Sequence, residues 1–264
     1  MSHLLNTTLL NFKPISLHEM DCVMLMNRVD KKFWMDMCHL EQILGELTNS
    51  YWILEDDEER SIKYKSTYYD TLDDMLYMHH HNGESNRYKV RKRKYVKSNR
   101  NYMEIKFKTA EGRTIKERII TGDRHHHFTK EESAFIEQLT LQSANAFVPS
   151  LESKFQRITL VNKLLPERVT IDVKPEFKTK EGKLKLHNLV IIEVKSDAHN
   201  TDSLMVKKLS EQGITKTGFS KYCIGRALLD PTLKQNQFES KIGRLVAKIL
   251  VEIIPEEQLV LDAN

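Results

Sequence analysis

The chain has 264 residues, 40% hydrophobic and 30% charged, a balance that gives a soluble globular protein of one large domain or two small ones and excludes a fibrous or disordered chain. Lys and Arg number 41 against 37 Asp and Glu, a net charge of +4 that says little until the basic residues are placed along the chain. Cys22, Cys38 and Cys223 form no CxxC pair, which excludes a thiolate zinc site or disulfide framework, and with neither a leader sequence nor an apolar run of membrane-spanning length the expected location is the cytoplasm, with no direct membrane span.

In chain order, Ser16 with Glu19 at capping-box spacing predicts a short helix to about Cys22. A strand follows over about 24–35, with Arg28, Asp30 and Lys32 on one face and Val29 and Phe33 on the other. Met37, Leu40, Ile43, Leu44 and Leu47 recur at helical spacing, and 61–70 alternates as a strand ending in Tyr68-Tyr69-Asp70-Thr71. A short helix over 72–78 runs into His79-His80-His81. That tract and His125-His126-His127 are expected to be solvated loops, because adjacent loop histidines share a coordination sphere poorly and no matching carboxylates accompany them.

The segments 87–95 and 102–108 read as a hairpin whose one face is nearly pure charge: Arg87, Lys89, Arg91 and Arg93 on the first strand, Glu104, Lys106 and Lys108 on the second. Met103, Ile105 and Phe107 lie opposite. On this parity Lys92 and Lys94 fall on the outer face and are expected to be dispensable. A strand over 112–121 adds Arg113, Lys116 and Arg118; Thr129 with Glu132 opens a helix carrying Phe135, Ile136 and Leu139. Strands over 154–162, 168–177 and 189–196 repeat the asymmetry, with Val190, Ile192 and Val194 against Glu193 and Lys195 in the last. The tail is helical over 203–212, 220–229 and 235–254. The domain is expected to span 1–232, with a C-terminal helix in 233–264 packing on it, on a second copy in a homo-oligomer, or on a partner.

Strands that are apolar on one face and charged on the other fit an α+β fold in which about eight antiparallel strands close into a barrel, helices outside and charge inside. Burying that many cations without counter-charge costs several kcal/mol per ion, on the order set by ion desolvation, so the interior is wet and built for a polyanion. Guanidinium and ammonium groups suit phosphate chains. Nucleic acid is not expected, since few aromatics interleave the basic positions, and neither GxxxxGK[ST] nor GxGxxG is present. Of the inward carboxylates Asp30, Glu104, Asp172 and Glu193, Glu193 is the leading ligand for a divalent cation; Glu104 either joins it or orients Arg or Lys.

Arg28-x-Asp30-x-Lys32-Phe33, Tyr68-Tyr69-Asp70-Thr71, Val90-Arg91-Lys92-Arg93-Lys94-Tyr95 and Glu104-x-Lys106 follow one another in order, and Arg157, Arg168 to Asp172, Glu193-x-Lys195 and Ser220-Lys221-Tyr222 come after them. From about Leu25 to Leu229 this series resembles the triphosphate tunnel metalloenzymes, and within them the polyphosphate polymerase domain of the vacuolar transporter chaperone complex and its bacterial relatives. The resemblance implies a tunnel in which Lys32, Arg91, Arg93, Lys106, Arg157, Arg168 and Lys221 act on phosphates. Arg28, Lys89, Lys108, Lys195 and Ser220 bind further phosphates, and Glu193 with Glu104 takes Mn²⁺ or Mg²⁺. It further implies ATP as donor and polyphosphate or pyrophosphate as acceptor. Arg28 and Asp30 stand where hydrolytic relatives carry two acids, which favours the polymerase branch. Gly218 stands where a basic residue is expected. A tunnel hydrolase of inorganic or organic triphosphate and a non-catalytic polyphosphate-binding module are the alternatives. Arg91→Ala or Lys106→Ala is expected to abolish turnover with little loss of folding.

Overall fold

The computed structural model describes residues 3–21, 28–124, 127–197 and 202–255. Its first half runs α1 (His3–Leu10), β1 (Lys13–Ile15), α2 (Leu17–Asp21), β2 (Arg28–Asp36), α3 (Leu40–Leu47), β3 (Tyr51–Leu54), β4 (Ile62–Asp70), α4 (Met75–His81), β5 (Arg87–Tyr95), β6 (Arg100–Lys108) and β7 (Thr114–Thr121). Then come α5 (Lys130–Thr140), β8 (Val148–Asn162), β9 (Glu167–Lys178), β10 (Gly182–Leu186), β11 (Leu189–Asp197), α6 (Leu204–Glu211), α7 (Lys221–Leu229), α8 (Glu239–Lys248) and β12 (Val251–Pro255). The predicted helix end at Cys22, the predicted strand start at 24–27 and two histidines of the second tract, His125 and His126, lie outside the described residues.

Two compact units share the chain, the first built from 1–62, 155–175 and 187–219, the second from 63–154, 176–186 and 220–264. In the first, β11 pairs antiparallel with both β2 and β9, β3 pairs antiparallel with β8, and β1 lies parallel to β3. Alternation decides which residues are dry: Val190, Ile192 and Val194 of β11 join Val169, Ile171 and Val173 of β9 in one apolar cluster. Leu40, Ile43, Leu44 and Leu47 of α3 recur at i, i+3, i+4 and i+7 and enter the same cluster. Inside it the Tyr51 hydroxyl donates to Glu167 Oε1 and accepts from the Met205 backbone N–H at 3.3 Å.

The sheet has the hydrogen-bonded order β12-β10-β9-β8-β4-β5-β6-β7. The α+β class and the antiparallel sheet with helices are as the sequence predicts. The barrel is not closed: the order ends at β12 and β7, with no pairing between them among the described residues. The tail accounts for one of those ends. The predicted helix over 235–254 stops at Lys248, and the β-branched run after it pairs as β12 with β10, from Gly182 opposite Pro255 to Leu186 opposite Val251. Gly182 permits this at φ +151°, where a Cβ would meet the Ile254 carbonyl oxygen at 2.5 Å. The first histidine tract is likewise no solvated loop but the last turn of α4. His81 is buried there, its Nδ1 at 3.0 Å from Asn82 Oδ1 and its Nε2 accepting from the Gln237 N–H at 3.3 Å.

Val90, Met103 and Ile105 make the apolar face of β5 and β6, covered by α5 through Ile136. Helix α5 begins in a complete capping box, with the Thr129 hydroxyl accepting from the Glu132 N–H and the Glu132 carboxylate accepting from the Thr129 N–H. The same carboxylate meets Lys92. Lys92 Nζ lies 3.0 Å from Glu132 Oε2 and donates to the Arg124 carbonyl at 2.5 Å, with both ion-pair side chains only 2% exposed. The expectation that Lys92 is a dispensable outer-face lysine is therefore corrected: the outer face of the strand is the inner face of the α5 interface. Lys94, half-buried, pairs with Asp123. Removing one partner of a buried pair strands the other charge, so Lys92→Ala should cost about 3–5 kcal/mol in urea denaturation. The double variant Lys92→Met with Glu132→Gln should recover most of that loss, because Gln keeps the capping box and no charge is left buried.

Candidate functional site

The second unit's site grows from the pairing of four strands. Residues directly opposite in antiparallel strands share a face, so each row of partners is a row of neighbouring side chains. One row is Tyr68, Arg91, Glu104 and Arg118, on β4, β5, β6 and β7 in turn. The next is Lys89, Lys106 and Lys116, three lysines abreast. A third begins Ser66, Arg93 and Tyr102.

Like charges directly opposite destabilise a sheet, and a single carboxylate within these rows balances them. Glu104, only 1% exposed, accepts from Arg91 Nε at 2.8 Å and Nη2 at 2.6 Å, and pairs through its other oxygen with Lys116. Burial alone would raise the Glu104 pKa, but Arg91, Arg93 and Lys116 together hold it far below the ordinary carboxylate range. Burial lowers the Lys116 ammonium below the usual lysine range, and although Glu104 opposes this, Arg91 and Arg93 add to it. Arg93 donates to Ser66 Oγ at 3.3 Å and sits over the Tyr64 ring. The face is a cation cluster around one fixed counter-charge, buried at Arg91 and Arg93, half-buried at Lys89 and Lys106 and exposed at Lys116 and Arg118.

Asp70, at the end of β4, joins α4 and α7 to this face. Its Oδ1 accepts from the Thr71 and Leu76 N–H groups at 2.8 and 2.7 Å, its Oδ2 from the Tyr77 N–H at 2.8 Å and from the Tyr222 hydroxyl. Burial raises the Asp70 pKa, and these donors oppose the rise. Tyr222 lies in the first turn of α7, so the Asp70 bond fixes that end of the helix, where Ser220 caps the Cys223 N–H at 3.4 Å and receives Lys89 Nζ at 3.1 Å. Lys221 is next to it.

The first unit carries its own charged cluster. Glu193 lies directly opposite Lys32, with Oε1 at 3.6 Å from Lys32 Nζ and 3.0 Å from Lys195 Nζ. Lys195 also reaches Asp30 Oδ2 at 2.8 Å, and Arg168 is its register partner on β9. Arg157 grips Asp172 with two bonds, 2.6 and 2.8 Å. Arg28 opens β2 opposite Asp197. Among the described residues no three His, Cys, Asp or Glu side chains converge as a metal cluster.

A family model described as the VTC domain matches residues 27–230, most of the chain. The chain belongs to the VTC domain family. No curated protein matches it. Among solved structures, a candidate adenylate cyclase from Bacillus halodurans shares 10% identity at a TM-score of 0.50, over 74% of this VTC chain and 96% of that one. A candidate adenylyl cyclase from Hippeastrum, described as having a dominant triphosphatase activity, shares 15% identity at a TM-score of 0.44, over 76% of this chain and 96% of that one. The family resemblance read from the residues is thus borne out, and the Bacillus likeness bears on the fold alone.

Of the residues singled out from the sequence, Lys89, Arg91, Arg93, Glu104, Lys106, Ser220 and Lys221 fall in the second unit's site region, with Lys108 exposed at the end of β6. Lys32, Arg157, Arg168, Glu193 and Lys195 fall in the first unit. Lys116 and Arg118 were legible as basic residues on a strand but were not assigned to the site; the even-numbered alternation of β7 was the available signal. Arg91 is 9% exposed and bound to Glu104, so the expectation that its removal spares folding is corrected. Glu104 also makes stability depend on pH. Its folded pKa lies below the unfolded value near 4.5, so its contribution is full above that pH and is lost as pH falls toward the folded value. In urea denaturation, the wild-type advantage over Glu104→Gln should hold from pH 7 to 5 and shrink by about 1.4 kcal/mol per pH unit below ~4.5.

Proposed function

We propose that this VTC domain is a metal-dependent polyphosphate polymerase that moves the γ-phosphate of ATP onto a growing polyphosphate chain. The observation that carries the reading is the row Lys89, Lys106 and Lys116 beside Arg91 and Arg93, a concentration of positive charge that suits a polyanion laid across it. Membership of the VTC family supports it.

A terminal phosphate oxygen is already ionised near neutral pH, so the acceptor needs no general base. The barrier is repulsion between donor and acceptor anions, and the residues that lower it are cations held in place before substrate arrives. Arg91 and Arg93 present planar donors to phosphate oxygens, Lys106 and Lys89 add point charge, and Ser220 with Lys221 holds a further phosphate at the start of α7. In the first unit Lys32, Arg157, Arg168 and Lys195, with Arg28 at the strand start, take the same role. Lys108 contributes from the edge.

Mn²⁺ or Mg²⁺ fits Glu193 better than Glu104. Such ions take one or two carboxylates and complete their shell with phosphate oxygens and water. Glu193 and Asp30 already share one cation, the Lys195 ammonium, whereas Glu104 is held by Arg91 and Lys116. When bound, the ion would be held by Glu193 and Asp30 and would neutralise phosphate charge. The working compartment on this reading is the cytoplasm, and the described residues contain no helix long and apolar enough to cross a membrane.

Purified protein incubated with ATP and Mn²⁺ should give a ladder of phosphate chains on a urea gel. Orthophosphate alone would point to a hydrolase, and tight polyphosphate binding without turnover to a binding module; either result sinks the polymerase reading. Lys106→Ala or Lys221→Ala should lower turnover by ~100-fold or more while the melting temperature stays near wild type, the scale seen when one preorganised charge-stabilising group is removed. Glu193→Gln should move the Mn²⁺ titration to higher concentration, and an unchanged titration would take the ion away from Glu193.

A further inference from the structure

Tyr68 is the one aromatic in the row that Arg91 and Glu104 continue, and its hydroxyl has an unusual arrangement of partners. The residue is 5% exposed. Its oxygen accepts a hydrogen bond from Arg91 Nη1 at 3.3 Å, and among the described residues no acceptor receives its proton. The ring is stacked on Tyr222, with centroids 5.3 Å apart and planes at 23°, and Tyr222 is itself fixed by Asp70. The hydroxyl therefore has little freedom to turn elsewhere. A buried donor with no acceptor is costly unless an acceptor arrives with a ligand.

The nearest carboxylate in the row, Glu104, is taken by Arg91 and Lys116, which leaves the cationic face itself as the setting of the Tyr68 proton. The chemistry that meets a phenolic donor and a guanidinium side by side is an oxyanion, and phosphate oxygens offer two lone pairs in that geometry.

We propose that the Tyr68 hydroxyl is a substrate-contacting group that donates to a non-bridging phosphate oxygen held by Arg91. This rests on the polyphosphate reading above and deepens it. No proton is transferred and no bond is broken; the phenol remains protonated and supplies one more donor to the anion. Its surroundings sharpen the donor: burial raises the phenol pKa, but Arg91, Arg93 and Lys221 pull it below the ordinary tyrosine range, and a more acidic O–H donates more strongly. The same three cations predict the response to ligand. A bound polyanion offsets their field and returns the phenol toward its usual value.

Tripolyphosphate alone, titrated calorimetrically into the full chain, is the probe. Wild type should bind, Lys106→Ala should lose most of the affinity, and Tyr68→Phe, which keeps the stacked ring, should bind about tenfold more weakly, the ~1.4 kcal/mol expected for one hydrogen bond to a charged oxygen, at an unchanged melting temperature. A second readout needs no variant. In an ultraviolet titration of wild type, the first tyrosine to ionise should shift to higher pH when tripolyphosphate is added. If wild type fails to bind, the polyphosphate reading falls and takes this inference with it. If wild type and Lys106→Ala behave as expected while Tyr68→Phe binds like wild type, or the first phenol ignores the ligand, the assignment of Tyr68 alone is overturned.

Discussion

A sheet can hold guanidinium groups out of water beside further cations only if some fixed negative charge keeps them there, and in the second unit that charge is Glu104. Its carboxylate engages Arg91 twice and Lys116 once, from a strand lying between theirs. One anion under several cations is a deliberate imbalance. It anchors the guanidinium of Arg91 without cancelling the field that Arg93, Lys89 and Lys106 contribute. A second carboxylate in the same rows would offset more of that charge, and any anionic ligand would then have to displace an internal partner. On the proposed reading, stability and affinity for polyanions would pull in opposite directions, with the single carboxylate as the compromise.

The end of β4 distributes three consecutive residues among three tasks. Tyr68 faces the cations, Tyr69 enters the apolar cluster beneath α5, and Asp70 ties α4 and α7 to the strand. Strand alternation separates the first two, and the end of the strand frees the third to accept backbone N–H groups from α4. Because Tyr222 answers to Asp70, the Ser220-Lys221 pair is positioned by a residue that does not belong to the charged rows. A slip of one residue in β4 would undo all three contacts together.

Much of this was legible in the sequence, for a physical reason: strands with one dry face and one charged face leave a period of two that nothing else imitates. The rows of β5 and β6, the core faces of β9 and β11, the stripe of α3 and the capping box of α5 all follow from local spacing. What escaped was non-local. Residues 251–255 continue the helical stripe of α8 on paper, and only the open edge of β10 makes them a strand. His79 to His81 read as a polar loop because the backbone N–H of Gln237, which meets the His81 ring, lies far along the chain. Lys92 reads as a dispensable outer-face residue on correct parity, since a strand says which side a residue faces but not how tightly that side is covered. The short strands β1, β3 and β10 carry too few residues to declare a period.

The burial of Lys92 against Glu132 has a consequence for how such a sequence can change over time. Glu132 serves at once as counter-ion to the strand and as the residue that closes the first turn of α5. A neutral replacement at either position leaves a dehydrated charge at the other, so the two sites form a lock that single steps cannot pass without a loss of fitness. Drift across this interface must proceed in pairs, with glutamine at 132 keeping the turn of α5 while an uncharged residue replaces the lysine. The other side of the same strand carries a lock of its own, where Arg91 and Glu104 hold one another.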